Sequence, residues 1–247
     1  VTNVSEENLI KRLPDFDACT LRVSKLDENI LKHCKKLKAI SRHGVGFDNV
    51  DLNYIKKNNI SLLVTATANA VAVAEHVLSM FLSLSKSIIN YDKEVRLGNF
   101  KSNAKNITTF ELLNKNILIA GFGRIGKKLI KKCLGFDMKV IVYDPFVDDN
   151  TISSYGGKKI NSLEEGLKDT DILSLSLPLN KETKNFISLK EMSLMKKSSI
   201  IINISRGGIV NEKDLDMALK NKVISFAGID VFEKAPPELT NPLLSND

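Results

Sequence analysis

One short segment constrains the fold more than any other: an apolar run that ends in three closely spaced glycines. Residues 117–120 are Ile-Leu-Ile-Ala, Gly121, Gly123 and Gly126 follow, and a helical pattern begins at once. Gly121 permits a tight turn, Gly123 lets the backbone approach a pyrophosphate, and Gly126 lets the helix pack near the strand. The helix N-terminus offers N–H groups and partial positive charge to phosphates. The segment therefore predicts a dinucleotide site; the alternative is a glycine-rich turn that binds nothing.

An acidic residue at a suitable distance strengthens this prediction. Asp144 lies eighteen positions after Gly126 and ends a second apolar run at 139–143. In dinucleotide sites such an acid bonds the adenine ribose hydroxyls and repels a 2′-phosphate. Residues 145–147 are Pro-Phe-Val and provide no cation for that phosphate. We therefore predict that the site prefers NAD to NADP.

The second part of the chain alternates between strand and helix patterns. Predicted strands are 116–120, 139–143, 171–177, 199–204 and 224–231, and predicted helices are 124–135, 162–168, 188–196 and 211–221. Apolar strands separated by amphipathic helices indicate a parallel sheet that is covered on both faces. The predicted fold class is α/β, with a Rossmann-type doubly wound parallel sheet.

The first part reads as a smaller α/β unit. Predicted strands are 18–23, 37–41 and 60–65, and predicted helices are 27–36 and 51–58. A long helix over 71–97 and a polar arm over 99–109 follow. We place the domain boundary between 1–70 and 71–247, with the linking helix and arm at 71–110 in the second domain.

Composition and charge exclude several classes of partner. The net charge is +7, but the lysines are dispersed, no basic stripe alternates with aromatic residues, and there is no Trp. Nucleic-acid binding is therefore not expected, whereas a positive field would attract a small anionic substrate. The apolar stretch 71–89 is interrupted by Glu75, His76 and Lys86, so we expect a helix of a soluble protein and no membrane partner.

The cysteines indicate neither a disulfide framework nor a metal site. Cys19, Cys34 and Cys133 are far apart, and none belongs to a Cys-x-x-Cys pair. This usage favours a reducing, cytoplasmic setting. No metal is expected.

Six short motifs, in order along nearly the whole chain, resemble those of the NAD-dependent D-2-hydroxyacid dehydrogenases. They are 42–51, 69–76, 121–126, 171–178, 203–208 and 227–232. Within that family the chain looks most like the branch that oxidises D-3-phosphoglycerate to 3-phosphohydroxypyruvate in serine biosynthesis. The resemblance implies NAD as cofactor, a homodimer formed through the 71–109 region, and a flavodoxin-like substrate domain at 1–70 that is incomplete.

The resemblance also implies roles for individual residues. Arg206 matches the arginine that holds the substrate carboxylate and polarises the carbonyl, and Asp230 matches the residue that binds the nicotinamide amide. Gly44, Val45 and Gly46 match the loop whose N–H groups meet the substrate carboxylate. Further cofactor contacts are implied at Gly121, Gly123, Arg124, Ile125, Gly126, Asp144, Leu177, Pro178, Ile204, Ser205 and Arg206. His76 is expected to have a helix-packing role.

Substrate choice stays open at this point. A phosphorylated substrate needs a second cation, for which Arg22 and Arg42 are the candidates. Relatives that act on glyoxylate, hydroxypyruvate, lactate or malate share the same motifs.

Two departures from the family pattern matter. Ala235 occupies the position of the family's catalytic Glu, which orients the acid–base His and tunes its pKa. The sequence ends at Asp247, before the position of that His, and Val1 is not an initiator residue, so we expect a piece of a longer protein. Ala235 keeps a rival hypothesis open: a non-catalytic NAD-sensing or interaction protein on the same fold.

Overall fold

The computed structural model describes residues 4–99 and 107–246. Contacts within the chain divide it into two compact units, Val1–Asn69 and Ala70–Asp247.

The first unit contains three parallel strands in the order β1-β2-β3. Its elements are α1 (Glu6–Arg12), β1 (Ala18–Leu21), α2 (Glu28–Leu31), β2 (Ala39–Arg42), α3 (Leu52–Lys57) and β3 (Ser61–Val64). Leu26, Leu31 and Ile40 are almost fully buried in its core. Asp51 begins α3 by accepting a hydrogen bond from the Tyr54 N–H at 3.0 Å, as an N-cap carboxylate commonly does.

The second unit contains six parallel strands in the order β6-β5-β4-β7-β8-β9. Its elements are α4 (Ala70–Ser85), α5 (Ile88–Arg96), β4 (Asn116–Ala120), α6 (Arg124–Leu134), β5 (Lys139–Tyr143), α7 (Asp149–Ser154), β6 (Lys158–Ile160), α8 (Leu163–Asp169), β7 (Ile172–Leu175), α9 (Leu189–Met192), β8 (Ile200–Asn203), α10 (Glu212–Lys220) and β9 (Phe226–Ile229). Strand order reverses at β4, which pairs with β5 on one side and β7 on the other. The doubly wound parallel sheet predicted from the sequence is confirmed.

Both faces of this sheet are buried, as the apolar strands predict. Ile117 and Ile119 belong to one hydrophobic cluster, and Leu118 and Ala120 belong to a second. Successive side chains of a strand point to opposite faces, so the two clusters lie on opposite sides of β4. Burial on both faces explains why the strand reads as a continuous apolar run.

The single long helix predicted over 71–97 is wrong: α4 and α5 are separate helices, bent by 55°. Ser87 breaks the helix with a left-handed backbone at φ 47°. Three hydrogen bonds between residues 85–87 and residues 108–110, where the chain comes back past the helix, stabilise the break. Lys86 Nζ donates to Phe110 O at 2.8 Å, Ser87 Oγ donates to Thr108 O at 2.7 Å, and Phe110 N donates to Ser85 O at 3.0 Å. The part of the predicted arm at 100–106 lies outside the described residues.

Within 4–99 and 107–246, no single helix is long and apolar enough to cross a membrane. Helices α4 and α5 reach that length and composition only as a bent pair. Ala74, Val77 and Phe81 of α4 are fully buried in the core of the second unit.

Several smaller elements also differ from the sequence predictions. Helices α1 and α7 and strand β6 were not predicted. Helix α1 has no fully buried residue, and only Leu9 and Ile10 pack against the core, so its apolar pattern is short. The predicted strands at 171–177, 199–204 and 224–231 are longer than β7, β8 and β9, because the apolar sequence continues after the backbone has left the sheet.

Candidate functional site

The three glycines between β4 and α6 serve different physical needs. Gly121 has φ 97°, and a Cβ at this position would lie 2.5 Å from Ser176 O. A Cβ at Gly126 would lie 2.5 Å from Gly121 O, whereas a Cβ at Gly123 would meet no atom of the described residues within 4 Å. The protein's own packing therefore requires Gly121 and Gly126 but not Gly123. The open space at Gly123 suits a ligand that approaches the backbone.

The N-terminus of α6 faces this space. Gly123 is the N-cap residue and provides no side-chain cap, and the first turn contains no acidic residue. The first N–H groups of a helix lack partners within the helix and carry partial positive charge. Arg124 and Ile125, predicted to flank a pyrophosphate, begin this helix. The arrangement therefore favours a phosphate group.

The Asp144 carboxylate is fixed beside the same turn. Its Oδ2 accepts a hydrogen bond from Phe122 N at 2.8 Å, and its Oδ1 accepts one from Phe146 N at 2.9 Å. A carboxylate oxygen has a second lone pair, so both oxygens can still accept from ribose hydroxyls. The predicted ribose ligand is thus held in place by the backbone on both sides.

The loops after β7 and β8 are joined through Ser205. Its Oγ donates to Leu175 O at 2.6 Å and accepts from Leu177 N at 3.2 Å. The hydroxyl therefore positions Leu177, and with it Pro178, at this end of the sheet. Ile204, the neighbour of Ser205, is nearly buried and packs in the core.

Asn203, which was not among the residues predicted from the sequence, fixes the loop that carries Arg206. Its Oδ1 accepts from Ser205 N and its Nδ2 donates to Arg206 O, both at 3.1 Å. The guanidinium of Arg206 donates from Nη1 to Ser205 O at 2.7 Å. The only sequence signal for Asn203 is a polar residue that ends a buried strand.

Gly207 brings the loop after β8 against the loop after β9. A Cβ at Gly207 would overlap the carbonyl oxygen of Phe232. Glu233 N donates to the Glu212 carboxylate, which further fixes the second loop. Ala235, at the family's Glu position, belongs to this loop.

Asp230, directly after β9, lies against the imidazole of His76. His76 Nε2 lies 3.4 Å from Asp230 Oδ1, and the two side chains are 48% and 51% exposed. The helix-packing role expected for His76 is therefore wrong, because its side chain is half exposed and lies against a carboxylate.

The predicted cofactor residues follow one edge of the sheet. Asp144 follows β5, Gly121 follows β4, Leu177 lies just beyond β7, Ser205 lies just beyond β8, and Asp230 follows β9. All strands are parallel, so these residues lie at their carboxyl ends, where ligands of such sheets bind. Four strand spacings separate β5 from β9, roughly 19 Å at about 4.8 Å each. An elongated ligand such as a dinucleotide fits this edge.

The predicted substrate residues form a cluster of their own in the first unit. Arg22 directly follows β1, and Arg42 ends β2 opposite Leu21 in the parallel register. Gly44 N donates to Thr65 Oγ1 at 2.8 Å, which leaves Val45 and Gly46 as the predicted N–H donors of the loop. A Cβ at Gly44 would lie 2.5 Å from Arg42 Nη1, so this glycine lets the guanidinium pack against the loop.

The cysteines are not activated as nucleophiles. Burial raises the pKa of Cys133 to about 12, and burial, with a smaller contribution from Cys34, raises the pKa of Cys19 to about 11. Thiols with such pKa values are protonated at neutral pH and unreactive.

Comparison with known proteins identifies the family of this chain. A family model described as "D-isomer specific 2-hydroxyacid dehydrogenase, NAD binding domain" matches residues 78–247. D-3-phosphoglycerate dehydrogenase from Methanocaldococcus jannaschii is 33% identical over 247 residues, 100% of this chain and 47% of that protein. Glyoxylate reductase from Pyrococcus furiosus is 32% identical over 243 residues, 94% of this chain and 71% of that protein. The chain spans about half the length of the phosphoglycerate dehydrogenases it matches.

A solved structure shows the same similarity. The D-lactate dehydrogenase of Aquifex aeolicus, complexed with NAD and lactic acid, is 33% identical and aligns with a TM-score of 0.85. The alignment covers 99% of this chain and 74% of that one. The glycine turn, the helix N-terminus and Asp144 fit the NAD that the family model describes. The chain therefore belongs to the D-isomer specific 2-hydroxyacid dehydrogenases and carries their NAD-binding domain.

Proposed function

We propose that the protein uses NAD to oxidise a D-2-hydroxy acid to the 2-oxo acid. The observation that carries this proposal is the open space at Gly123, with the Asp144 carboxylate fixed beside it. NAD, when bound, accepts the hydride from the carbon that bears the hydroxyl. The protein's own groups position the cofactor and stabilise charge.

Arg206 is the proposed ligand of the substrate carboxylate. A guanidinium bonds two carboxylate oxygens at once and stays charged at any working pH. Asn203 fixes the backbone of Arg206, and Ser205 O accepts a hydrogen bond from Arg206 Nη1. The arginine therefore needs little reorganisation when substrate binds. Val45 and Gly46 are the proposed N–H donors of the first unit.

We propose D-3-phosphoglycerate as the substrate. Its phosphate needs cations that glyoxylate and hydroxypyruvate do not, and Arg22 and Arg42 lie at the carboxyl ends of adjacent strands. The chain's net charge of +7 favours the approach of an anion. A relative named D-3-phosphoglycerate dehydrogenase supports this choice, and one named glyoxylate reductase, at nearly equal identity, defines the competitor.

The test compares substrates with and without phosphate, using protein produced from the complete gene. Arg22→Gln and Arg42→Lys should each lower kcat/KM for D-3-phosphoglycerate about tenfold or more, since each removes or misplaces a charged hydrogen bond. The loss of kcat/KM for D-glycerate, which has no phosphate, should be much smaller in both variants. Arg12→Gln, at an exposed arginine of α1, is the matched control. If the wild type prefers glyoxylate or D-lactate, the substrate assignment is wrong while the reaction class stands.

Ala235 favours a second candidate function, a non-catalytic NAD sensor. Its loop is fixed by Gly207 and by the Glu212 carboxylate. The nearby Glu238 is paired with Lys234. Ala235 therefore stands at the family's Glu position in a loop that packing and a hydrogen bond hold in place.

Ala235→Glu separates the two candidates. In a catalytic protein it should raise turnover at least several-fold by restoring the partner of an acid–base histidine, part of the ~10²–10⁴-fold that such catalysis provides. NAD affinity should stay nearly unchanged. If the parent is already fast and Ala235→Glu leaves turnover flat, another residue replaces the carboxylate. If both forms bind NAD and neither turns over a D-2-hydroxy acid, the sensor function is supported.

We also propose a homodimer in a reducing, cytoplasmic setting. Helix α5 and the residue that ends it expose four apolar side chains, each at least half exposed: Ile88, Ile89, Val95 and Leu97. A closed two-fold pairing is the commonest assembly. Sedimentation at micromolar concentration should show a dimer, and Ile89→Glu should dissociate it. A wild-type monomer would refute this proposal.

A further inference from the structure

The contact between His76 and Asp230 is built into the packing of α4 on β9. A Cβ placed at Gly228 of β9 would lie 3.1 Å from Met80 Cε and 3.3 Å from Met80 Cβ, so the glycine lets α4 approach. His76 and Met80 are four residues apart on one helix face, and Gly228 and Asp230 are two apart on one strand face. The packing that joins Met80 to Gly228 therefore also sets His76 against Asp230, with 3.4 Å between Nε2 and Oδ1.

The charged neighbour of His76 on α4 is already paired. Glu75 of α4 forms an ion pair with Lys132 of α6 at 2.9 Å. On the other side of the ring, Ser79 Oγ lies 3.5 Å from His76 Nδ1 and donates to His76 O at 2.8 Å. Protonation of His76 therefore adds a positive charge directly beside the Asp230 carboxylate and changes the net charge of the pair. Both side chains are about half exposed, so the pair remains accessible to a ligand.

We propose that His76 determines which redox form of the cofactor the Asp230 end of the site prefers. This inference rests on the proposed function: with the adenine ribose at Asp144 after β5, the nicotinamide end of the dinucleotide lies toward Asp230 after β9. The nicotinamide ring of NAD⁺ is positively charged and that of NADH is neutral. With neutral His76 the pair has a net charge of −1 and attracts the oxidised ring. With protonated His76 the net charge is zero and that preference is lost.

The expected signature is a redox-selective pH dependence of binding. Histidine is the side chain that changes charge at near-neutral pH. As pH rises from about 5.5 to 8, the ratio of the Kd for NAD⁺ to the Kd for NADH should fall about two- to fivefold, the range for a half-exposed pair. A residue that only packed the helix would change both Kd values together.

The experiment measures both Kd values by calorimetry across this pH range, on protein produced from the complete gene. His76→Gln keeps a hydrogen-bonding side chain but does not titrate, so its ratio should be independent of pH. Asp230→Asn should also remove the pH dependence. His33→Gln, an exposed histidine in the first unit, is the matched control and should behave as wild type. Thermal unfolding confirms that each variant is folded.

The outcomes separate this inference from the function it rests on. If the wild type binds neither cofactor form, the proposed cofactor site fails. If it binds both and the ratio is independent of pH, or if His76→Gln keeps the wild-type dependence, the role of His76 is wrong while NAD binding stands.

Discussion

A Cβ at Gly123 would meet no atom of the described residues, whereas a Cβ at Gly121 or Gly126 would lie against a backbone oxygen. This difference separates a glycine that a ligand requires from glycines that the fold requires. The sequence motif predicts all three alike, because spacing alone does not show what each Cβ would meet.

Gly123→Ala should weaken NAD binding without unfolding the protein. The added Cβ meets no protein atom and should lower the free energy of unfolding by at most about 1 kcal/mol, the effect of a poorer N-cap. Calorimetry should show the NAD dissociation constant raised about tenfold or more, since the methyl occupies the space of the ligand. Gly126→Ala is the contrasting variant: overpacking against Gly121 O should cost about 1–3 kcal/mol of stability. Equal NAD affinity in Gly123→Ala and wild type would contradict the assignment.

Asp144→Ala should narrow the preference for NAD over NADP. The substitution removes both the ribose acceptor and the charge that repels a 2′-phosphate. The ratio of the two Kd values, measured by fluorescence titration, should fall at least several-fold. Asp144→Asn removes the charge and keeps an oxygen acceptor for only one of the two backbone N–H groups, so it should narrow the ratio in the same direction. A wild type that binds both cofactors equally would show that the acid does not select between them.

At the scale of elements, the break between α4 and α5 depends on contacts distant in sequence. Ser87→Ala removes the hydrogen bond to Thr108 O and leaves the left-handed backbone in place. Because Thr108 is exposed and water can replace the lost donor, the free energy of unfolding should fall by about 0.5–1.5 kcal/mol in urea titration, the net contribution of one hydrogen bond. Ser153→Ala, at an exposed serine of α7, should stay within about 0.5 kcal/mol. Similar values for the two variants would show that the break is held elsewhere.

The sequence predictions are accurate where residues close together in sequence determine the structure, and they fail where distant residues do. Strands β4 and β5 were predicted with their observed bounds, since an apolar run and a following turn define both ends. The α4–α5 break was missed because its cause is the return of 107–110, which no periodicity reports. At the site, the glycines and Asp144 carry local chemical signatures. The contacts of Asn203, Ser205 and His76 arise only when separate strand ends are brought to one edge.

At the scale of the whole molecule, the two units carry different predicted groups. The described site of the second unit accounts for the cofactor, and the strand ends of the first unit carry Arg22 and Arg42. Both groups of residues serve the proposed reaction, the oxidation of a D-2-hydroxy acid by NAD.

The measurement that tests this claim most directly is NADH formation from both enantiomers of 3-phosphoglycerate, glycerate and lactate, with protein produced from the complete gene. We predict NADH from the D enantiomers only, with the highest kcat/KM for D-3-phosphoglycerate. Arg206→Lys should lower that value about tenfold or more, because a point charge cannot bond both carboxylate oxygens. Binding of NAD without NADH formation from any D enantiomer would contradict the claim.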